Sequence, residues 1–375
     1  MTGLIGYVSD ERYVAVAGAE LEFEPAGGGR DGAPSGAAGA PVVARSTPRG
    51  GVYAALAPGP YRVSIVRPGF GSKVVSLTVT EHQAPYHFRL LSDGLLGYMW
   101  PRWVRAGEVS EFRVHSVQAY RLSLWRYGLQ KEFVRLLGWF DEHGPRAVMQ
   151  LTPDGDYSQT GVAWNSIGYG DPHLTQLVRG PGRSGLYYVH AEAEQSGAFF
   201  SFPWVVAPAR PQAPLAVLAS TNTWNAYNNF GGRSNYINPT ELPARPAVNA
   251  RQDLERYTSA RTYRGWGFPD DAYRPLSFER PEPFNHVPRE TQVTDPIRGR
   301  QANHLAPAEW RTLGWLEREG FPYDLYAEAH LHDGTLDLDA YRALLIQVHP
   351  EYWSRRMFER VREWVHARGG RLLYL

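Results

Sequence analysis

The chain has 375 residues, of which 43% are hydrophobic and 13% aromatic, and 39 basic side chains nearly balance 38 acidic ones. This composition excludes a disordered chain, and the even charge argues against a nucleic-acid partner or an anionic membrane. The absence of cysteine excludes disulfides and thiolate chemistry. No signal peptide is visible, and no apolar run approaches the roughly 20 residues of a membrane span. We therefore expect a soluble cytoplasmic protein of two or three domains.

Residues 1–91 are predicted to form a β-sandwich. Apolar and polar residues alternate around Tyr61 and Leu77, and turns rich in glycine and proline separate the runs. The segment 25–41 is a Gly/Ala/Pro insertion that we expect to be a mobile hairpin loop. The stretch STPRGGVYAALAPGPYRVSIVRPGF resembles the transthyretin-like and carboxypeptidase-regulatory-like sandwiches, which are usually accessory modules.

Residues 92–207 are predicted to form a second β-sandwich. The alternation typical of strands occurs in EFRVHS, YRLSLWRYG, SGLYYVHAEAE and AFFSFPWVVAP. The proline-rich stretch APARPQAP follows, and the character of the sequence changes after it. We place a domain boundary there.

Residues 208–375 have the pattern of an α/β domain with a parallel sheet. Short apolar runs typical of buried strands occur in PLAVLAS, YDLYAE and LLIQVH. A helix is predicted between Pro307 and Gly320, and another carries Met357 and Val361 on its apolar face. A further strand, RLLYL, follows this second helix. Since such a strand should lead into another helix, we expect the domain to be truncated at its C-terminus.

Two polar segments follow predicted strands. The aromatic segment TNTWNAYNNFGGRSNY comes after PLAVLAS, and HPEYWS comes after LLIQV. Ligands of open α/β sheets bind beyond the carboxyl ends of the strands. If the two strands are parallel neighbours, the sequence predicts that Tyr227, Tyr236, His349 and Glu351 share one crevice, within about 10 Å of a common point.

Three segments carry a resemblance to a known family. In chain order they are TNTWNAYNNFGGRSNY, RPLSFERP and HPEYWSRRMFERVREWVHARGGRLLYL, and together they resemble the large (beta) subunit of N,N-dimethylformamidase and its wider family over residues 214–375. The resemblance implies a glutamine-amidotransferase-like fold for the α/β domain. It also implies a hydrolase that cleaves a linear amide with one iron ion bound by two tyrosines and a glutamate.

The resemblance also implies which residues form the site. The iron ligands are Tyr227, Tyr236 and Glu351, and His349 is the catalytic histidine of the same motif. The two tyrosines lie further apart in the family than here, so other tyrosines are alternatives for the second ligand. These alternatives are Tyr263 and Tyr273.

The residue types suit this chemistry. A tyrosine phenol titrates near pH 10, so a phenolate ligand requires a strong Lewis acid beside it. Oxygen ligands without a thiolate favour Fe(III), Mn or Mg over Zn or Cu(I). Such a metal can polarise an amide carbonyl or activate water, while His349 shuttles a proton or orients Glu351. The expected partners are a small-molecule amide substrate and either a small second subunit or another copy of the chain.

Each site residue also has a purely structural interpretation. The tyrosines can be packing or turn residues, Glu351 can be a carboxylate favoured at a helix start, and His349 can be a structural histidine. His330 and His332 have a spacing that could bind a metal, but without a third ligand a solvated loop is favoured. The alternative function is accordingly a non-enzymatic glycan- or protein-binding protein with a degenerate α/β domain, and metal content distinguishes it from the enzyme.

Overall fold

The computed structural model describes residues 3–26, 40–140, 152, 154–155, 157–164, 176–235, 246, 275–294 and 304–375. Its contacts form two compact units. The first unit comprises Met1–Gly94, Leu151–Val162 and Asn229–Leu276, and the second comprises Leu95–Gln150, Ala163–Asn228 and Ser277–Leu375. The domain boundaries at residues 91 and 207 stay predictions. Most of the predicted hairpin insertion, residues 27–39, lies outside the described residues.

The first unit is a β-rich body with two sheets. Its described strands are β1 (Gly3–Ser9), β2 (Glu20–Pro25), β3 (Val42–Arg45), β4 (Gly51–Ala54), β5 (Gly59–Val66), β6 (Lys73–Val79) and β7 (Tyr86–Arg89). One sheet has the order β4-β1-β7 and the other β3-β2-β5-β6. The alternation predicted around Tyr61 and Leu77 is present. Buried and more exposed residues alternate along β5 and β6, and the side chains of Tyr61 and Leu77 lie in the same hydrophobic core.

The second unit begins with mainly antiparallel sheets. Its described strands in this part are β8 (Leu96–Trp100), β9 (Trp103–Arg105), β10 (Val109–His115), β11 (Tyr120–Tyr127), β12 (Lys131–Phe140), β13 (Leu177–Arg179), β14 (Gly185–Ala193) and β15 (Phe199–Ala207). One sheet has the order β13-β10-β8 and the other β12-β11-β14-β15-β9. All four predicted strand sequences therefore form strands, and their arrangement as a sandwich stays a prediction.

The C-terminal part of this unit contains a parallel sheet, as predicted. It comprises β16 (Leu215–Ala219), β17 (Tyr323–Ala327), β18 (Ala343–Ile346) and β19 (Leu372–Tyr374), in the order β17-β16-β18-β19. All three neighbouring pairs are parallel. The apolar runs of β16 and β18 are continuous because these strands are covered on both faces, and β17, which is buried throughout, interrupts its apolar run only at Asp324. A specifically glutamine-amidotransferase-like fold stays a prediction.

The helices of the described ranges surround this sheet. They are α1 (Thr221–Tyr227), α2 (Ala306–Arg318), α3 (Glu328–Asp333) and α4 (Arg355–Arg368), with short 3-10 helices at Pro283–Asn285 and Leu338–Ala340. Helix α4 begins where the Ser354 side chain accepts a hydrogen bond from the Met357 amide at 3.2 Å, and ends at Gly369 with φ of 71°. None of these described helices is long and apolar enough to cross a membrane.

The sheet buries a different set of residues on each face. On one face, Trp310 and Leu313 of α2 join a core that includes Leu325 of β17. On the other face, Met357, Val361 and Trp364 of α4 pack with side chains from β16, β17 and β18. The apolar face predicted for the helix that carries Met357 and Val361 is therefore the face that covers the sheet.

One sequence expectation about local structure is wrong. The segment around His330 and His332 is not a solvated loop but helix α3, in which His330 is buried. The first seven residues of the aromatic segment after β16 form helix α1.

Candidate functional site

The strand order places a topological switch beside β16. The chain passes from β16 to its neighbour β17 on one side and then to β18 on the other side. Ligands of doubly wound sheets bind at such a point, beyond the carboxyl ends of the strands. Helix α1 directly follows β16, and the turn 349–351, hereafter the HPE turn, follows β18. These are the two segments in which the sequence predicts Tyr227, His349 and Glu351 as site residues.

Helix α1 is fixed by buried carboxyl groups from other parts of the chain. Glu309 Oε1 accepts hydrogen bonds from the Ser220 amide at 3.1 Å and from the Trp224 indole at 2.9 Å. Glu328 Oε2 accepts one from the Asn222 amide at 2.7 Å. These bonds satisfy donors at the helix start that no side chain within α1 caps. The helix ends at Tyr227, whose side chain is half-buried.

The HPE turn is strained and is tied to α1. Val348, directly before the turn, has φ of 61°, a region that β-branched residues rarely adopt. The Thr223 hydroxyl accepts a hydrogen bond from the Glu351 amide at 2.9 Å, and the Asn222 side chain donates one to the Tyr352 carbonyl at 3.0 Å. A conformation this costly is typical of functional sites, where the surroundings hold it in place.

Three of the four predicted site residues lie together. The Tyr227 hydroxyl is 3.3 Å from Glu351 Oε2 and 3.5 Å from His349 Nε2. His349 Nε2 is in turn 3.1 Å from Glu351 Oε2. The side chains of His349 and Glu351 are 42% and 37% exposed, so water and a small substrate can reach them. The described chain thus gathers a phenol, a carboxylate and an imidazole at one accessible point.

The fourth predicted residue, Tyr236, lies outside the described residues, as do its alternatives Tyr263 and Tyr273. Within the described ranges, no three His, Asp or Glu side chains are grouped as a metal site. His332 bonds the Ser354 hydroxyl at 2.8 Å instead of joining such a group.

His304 is a site residue that the sequence does not reveal. Its ring lies edge-on to Tyr227, with centroids 4.3 Å apart, and 4.8 Å from the ring of His349. Its Nε2 atom is buried and has no hydrogen-bond partner in the described part of the chain. Burial lowers the pKa of His304, and the neighbouring His349 lowers it further. The residue precedes a helix in an unremarkable stretch, so no pattern signals it.

The two glutamates that bind α1 are also missed by sequence reasoning. Burial raises the pKa of Glu309 to about 8, while its hydrogen bonds oppose the shift. Burial also raises the pKa of Glu328 to about 8, and repulsion from Glu309 adds to it. A signal for Glu309 does exist in the sequence, because it precedes Leu313 by four positions and so falls on the apolar face of α2. Glu328 directly follows a buried strand, where polar residues often serve a site.

The hydrogen bond from the Glu351 amide to Thr223 gives a testable stability prediction. Thr223→Val keeps the shape of this buried side chain but removes the acceptor, so the free energy of unfolding should fall by about 1–3 kcal/mol. Thr221→Val is the matched control, because the buried Thr221 hydroxyl has no partner within the described residues. Chemical denaturation measures both. Equal destabilisation by the two substitutions would show that the bond to Glu351 does not contribute.

Comparison with known proteins identifies the family. The model of the family described as N,N-dimethylformamidase beta subunit-like, C-terminal, matches residues 172–375, more than half of the chain. No curated protein matches. Among solved structures, a DUF3823 family protein from Bacteroides ovatus is similar at 10% identity with a TM-score of 0.18, over 52% of this chain and 92% of that chain, a likeness too low to carry an argument. From the family match, the chain belongs to the N,N-dimethylformamidase beta subunit-like, C-terminal family.

Proposed function

We propose that this protein is an iron-dependent hydrolase of amides or related C–N bonds. The observation that carries the proposal is the grouping of the Tyr227 hydroxyl, Glu351 Oε2 and His349 Nε2 within 3.1–3.5 Å of one another at the carboxyl edge of the parallel sheet. Membership of a family named after an amide-hydrolysing subunit supports the reaction class.

The residues present fit an iron ion. The Tyr227 hydroxyl donates a hydrogen bond to Glu351 Oε2 at 3.3 Å, so the two oxygens face the same point. A phenolate and a carboxylate are hard ligands that suit Fe(III). Tyr227 and Glu351 would therefore hold the ion, with Tyr236 as the proposed third ligand.

The chain's own groups can carry the proton transfers of amide hydrolysis. When bound, the iron would polarise the amide carbonyl and acidify a water molecule. His349 Nε2 takes a proton from the attacking water and returns it to the leaving nitrogen as the C–N bond breaks, so that a carboxylic acid and an amine are formed. Glu351 Oε2, 3.1 Å from this nitrogen, accepts the hydrogen bond of the ring once Nε2 carries the proton, and so stabilises the charged imidazole.

The domain architecture, the protein partner and the substrate are part of the same proposal. We place two β-sandwich modules before a glutamine-amidotransferase-like α/β domain, and we expect a small second subunit or another copy of the chain as the protein partner. The family name, which is that of a beta subunit, supports an assembly of this kind. We propose a small linear amide as the substrate, in keeping with the enzyme after which the family is named.

Metal analysis of the purified protein tests the proposal. The expected result is close to one iron per chain, together with release of amine from formamide or N,N-dimethylformamide. Iron added to protein that was first stripped with a chelator should restore the activity. A chain that binds no iron after such addition would favour the alternative, a glycan- or protein-binding protein.

A further inference from the structure

We propose that Glu309, Glu328 and Arg280 are positioning residues that hold helix α1, and through it both Tyr227 and the HPE turn, in the arrangement of the site. We name these three side chains the α1 clamp. The purpose of the clamp rests on the proposed function, whereas its contacts exist in the chain without a metal. All three side chains are buried, with exposures of 1%, 0% and 0%.

Helix α1 needs support from outside its own sequence. It has only 7 residues, and isolated helices shorter than about 12–15 residues are marginal in water. Threonine and asparagine, which make up four of the seven residues, are weak helix formers. Ser220, at the position before the helix, makes no side-chain cap. The helix therefore depends on bonds from other elements.

Two members of the clamp bind the first turn. Glu309 of α2 accepts hydrogen bonds from the Ser220 amide and the Trp224 indole. Glu328, the first residue of α3, accepts a hydrogen bond from the Asn222 amide. Each of these bonds uses one oxygen of the carboxyl group. The acceptor is therefore retained whether or not the other oxygen carries a proton.

The third member binds the last turn. Arg280 Nη2 donates to the Asn225 carbonyl at 3.2 Å and to the Asn225 side-chain oxygen at 3.1 Å. Close by, the Asn228 side chain donates to the Pro281 carbonyl at 2.8 Å. Arg280 lies in the segment RPLSFERP, which the sequence singled out without a role. These contacts indicate that the segment fixes the last turn of α1 at Asn225, two residues before Tyr227.

Movement of α1 would disturb both halves of the site. Tyr227 is its last residue, and the side chains of Asn222 and Thr223 hold the backbone of the HPE turn. The α1 clamp therefore controls the distance between the Tyr227 phenol and the Glu351 carboxylate. The phenol belongs to α1, and the HPE turn, which includes Glu351, is hydrogen-bonded to α1. Displacements near 1 Å are enough to impair a metal site or a catalytic group.

The test compares variants of two glutamates on the same helix. Glu309→Leu removes the acceptor for α1, and Glu309→Gln retains it. Glu317→Leu is the control on the same helix, because Glu317 also accepts a backbone amide, that of Leu129 at 2.7 Å, and makes no hydrogen bond to α1 among the residues that the structure describes. Arg280→Met tests the other end of the helix. Hydrogen exchange of the peptide 220–228 is measured in the metal-free protein, with 343–346 of β18 as the internal reference, followed by a titration with ferric ion.

We expect Glu309→Leu and Arg280→Met to speed exchange of 220–228 about tenfold relative to 343–346, as loss of a buried hydrogen bond implies. The same variants should weaken ferric-ion binding and its visible phenolate band, and Glu309→Gln should restore both. Unchanged relative exchange in both variants, or equal acceleration by Glu317→Leu, would overturn the clamp. If the wild type binds no iron at all, the proposed function fails, and the exchange comparison alone decides the clamp.

Discussion

Tyr227→Phe is expected to remove most of the iron from the protein while leaving the fold intact. The substitution deletes one oxygen, the atom that lies 3.3 Å from the Glu351 carboxylate, and keeps the aromatic ring that packs against His304. Loss of an outer-shell partner already costs about 10–100-fold in metal affinity, so loss of a direct ligand should cost more than about 100-fold. Glu351→Gln should have a similar effect, since it replaces an anionic oxygen by a neutral one at almost constant size.

Spectroscopy makes this expectation specific to the phenol. A ferric phenolate gives a visible charge-transfer band, which should weaken in Tyr227→Phe and, to a smaller extent, in Glu351→Gln. Tyr53→Phe, at a 52% exposed position in the first unit, is the matched control and should change neither the band nor the iron content. Iron is measured by elemental analysis, and the fold by circular dichroism. Full iron content in Tyr227→Phe would remove Tyr227 from the ligand set.

His349→Gln should behave differently from both ligand variants. The assigned role of His349 is to move a proton at Nε2, so its replacement should lower kcat by about 10²–10⁴-fold, the usual contribution of a general acid or base. The iron content and the visible band should be largely retained. Loss of iron equal to that in Tyr227→Phe would instead make His349 a metal ligand.

The parallel sheet and the meeting of its two polar segments could be predicted because they depend on local patterns. Continuous apolar runs mark β16 and β18, and the geometry of a parallel sheet then brings their carboxyl ends to one edge. Helix α1 could not be predicted. Its residues are weak helix formers, and the bonds that hold its first turn come from positions 89 and 106 residues further along the chain. No pattern within a short window contains that information.

The buried glutamates show a second limit of sequence reasoning. A charged residue near the start of a helix is usually solvated, and Glu309 looks like such a residue in the sequence. Its position on the apolar face of α2 indicates burial only when the exact face is known, which requires the helix to be placed against the sheet. Tyr236 illustrates the opposite case, because its proposal as a second tyrosine ligand rests on the family resemblance alone.

The pH dependence of stability should reveal the burial of Glu309. Its pKa is raised from 4.5 to about 8, so the folded chain keeps a proton that the unfolded chain loses. The contribution of this group to stability is therefore fully present below pH 4.5 and is lost as the pH rises through about 8. Between these limits the unfolding free energy should fall by about 1.4 kcal/mol per pH unit on account of this one proton. Other groups, including Glu328 with its similarly raised pKa, titrate in the same range.

A difference measurement separates Glu309 from those other groups. Glu309→Gln keeps the acceptor for Ser220 and Trp224 but cannot ionise, so the variant should gain stability relative to the wild type as the pH rises from about 5 to about 8, with the slope of one proton. Glu359→Gln, at an exposed position of α4, is the control substitution. Denaturant unfolding at a series of pH values measures both. A flat difference for Glu309→Gln would mean that the carboxyl is ionised in the folded chain, and helix α1 would then begin at a buried anion.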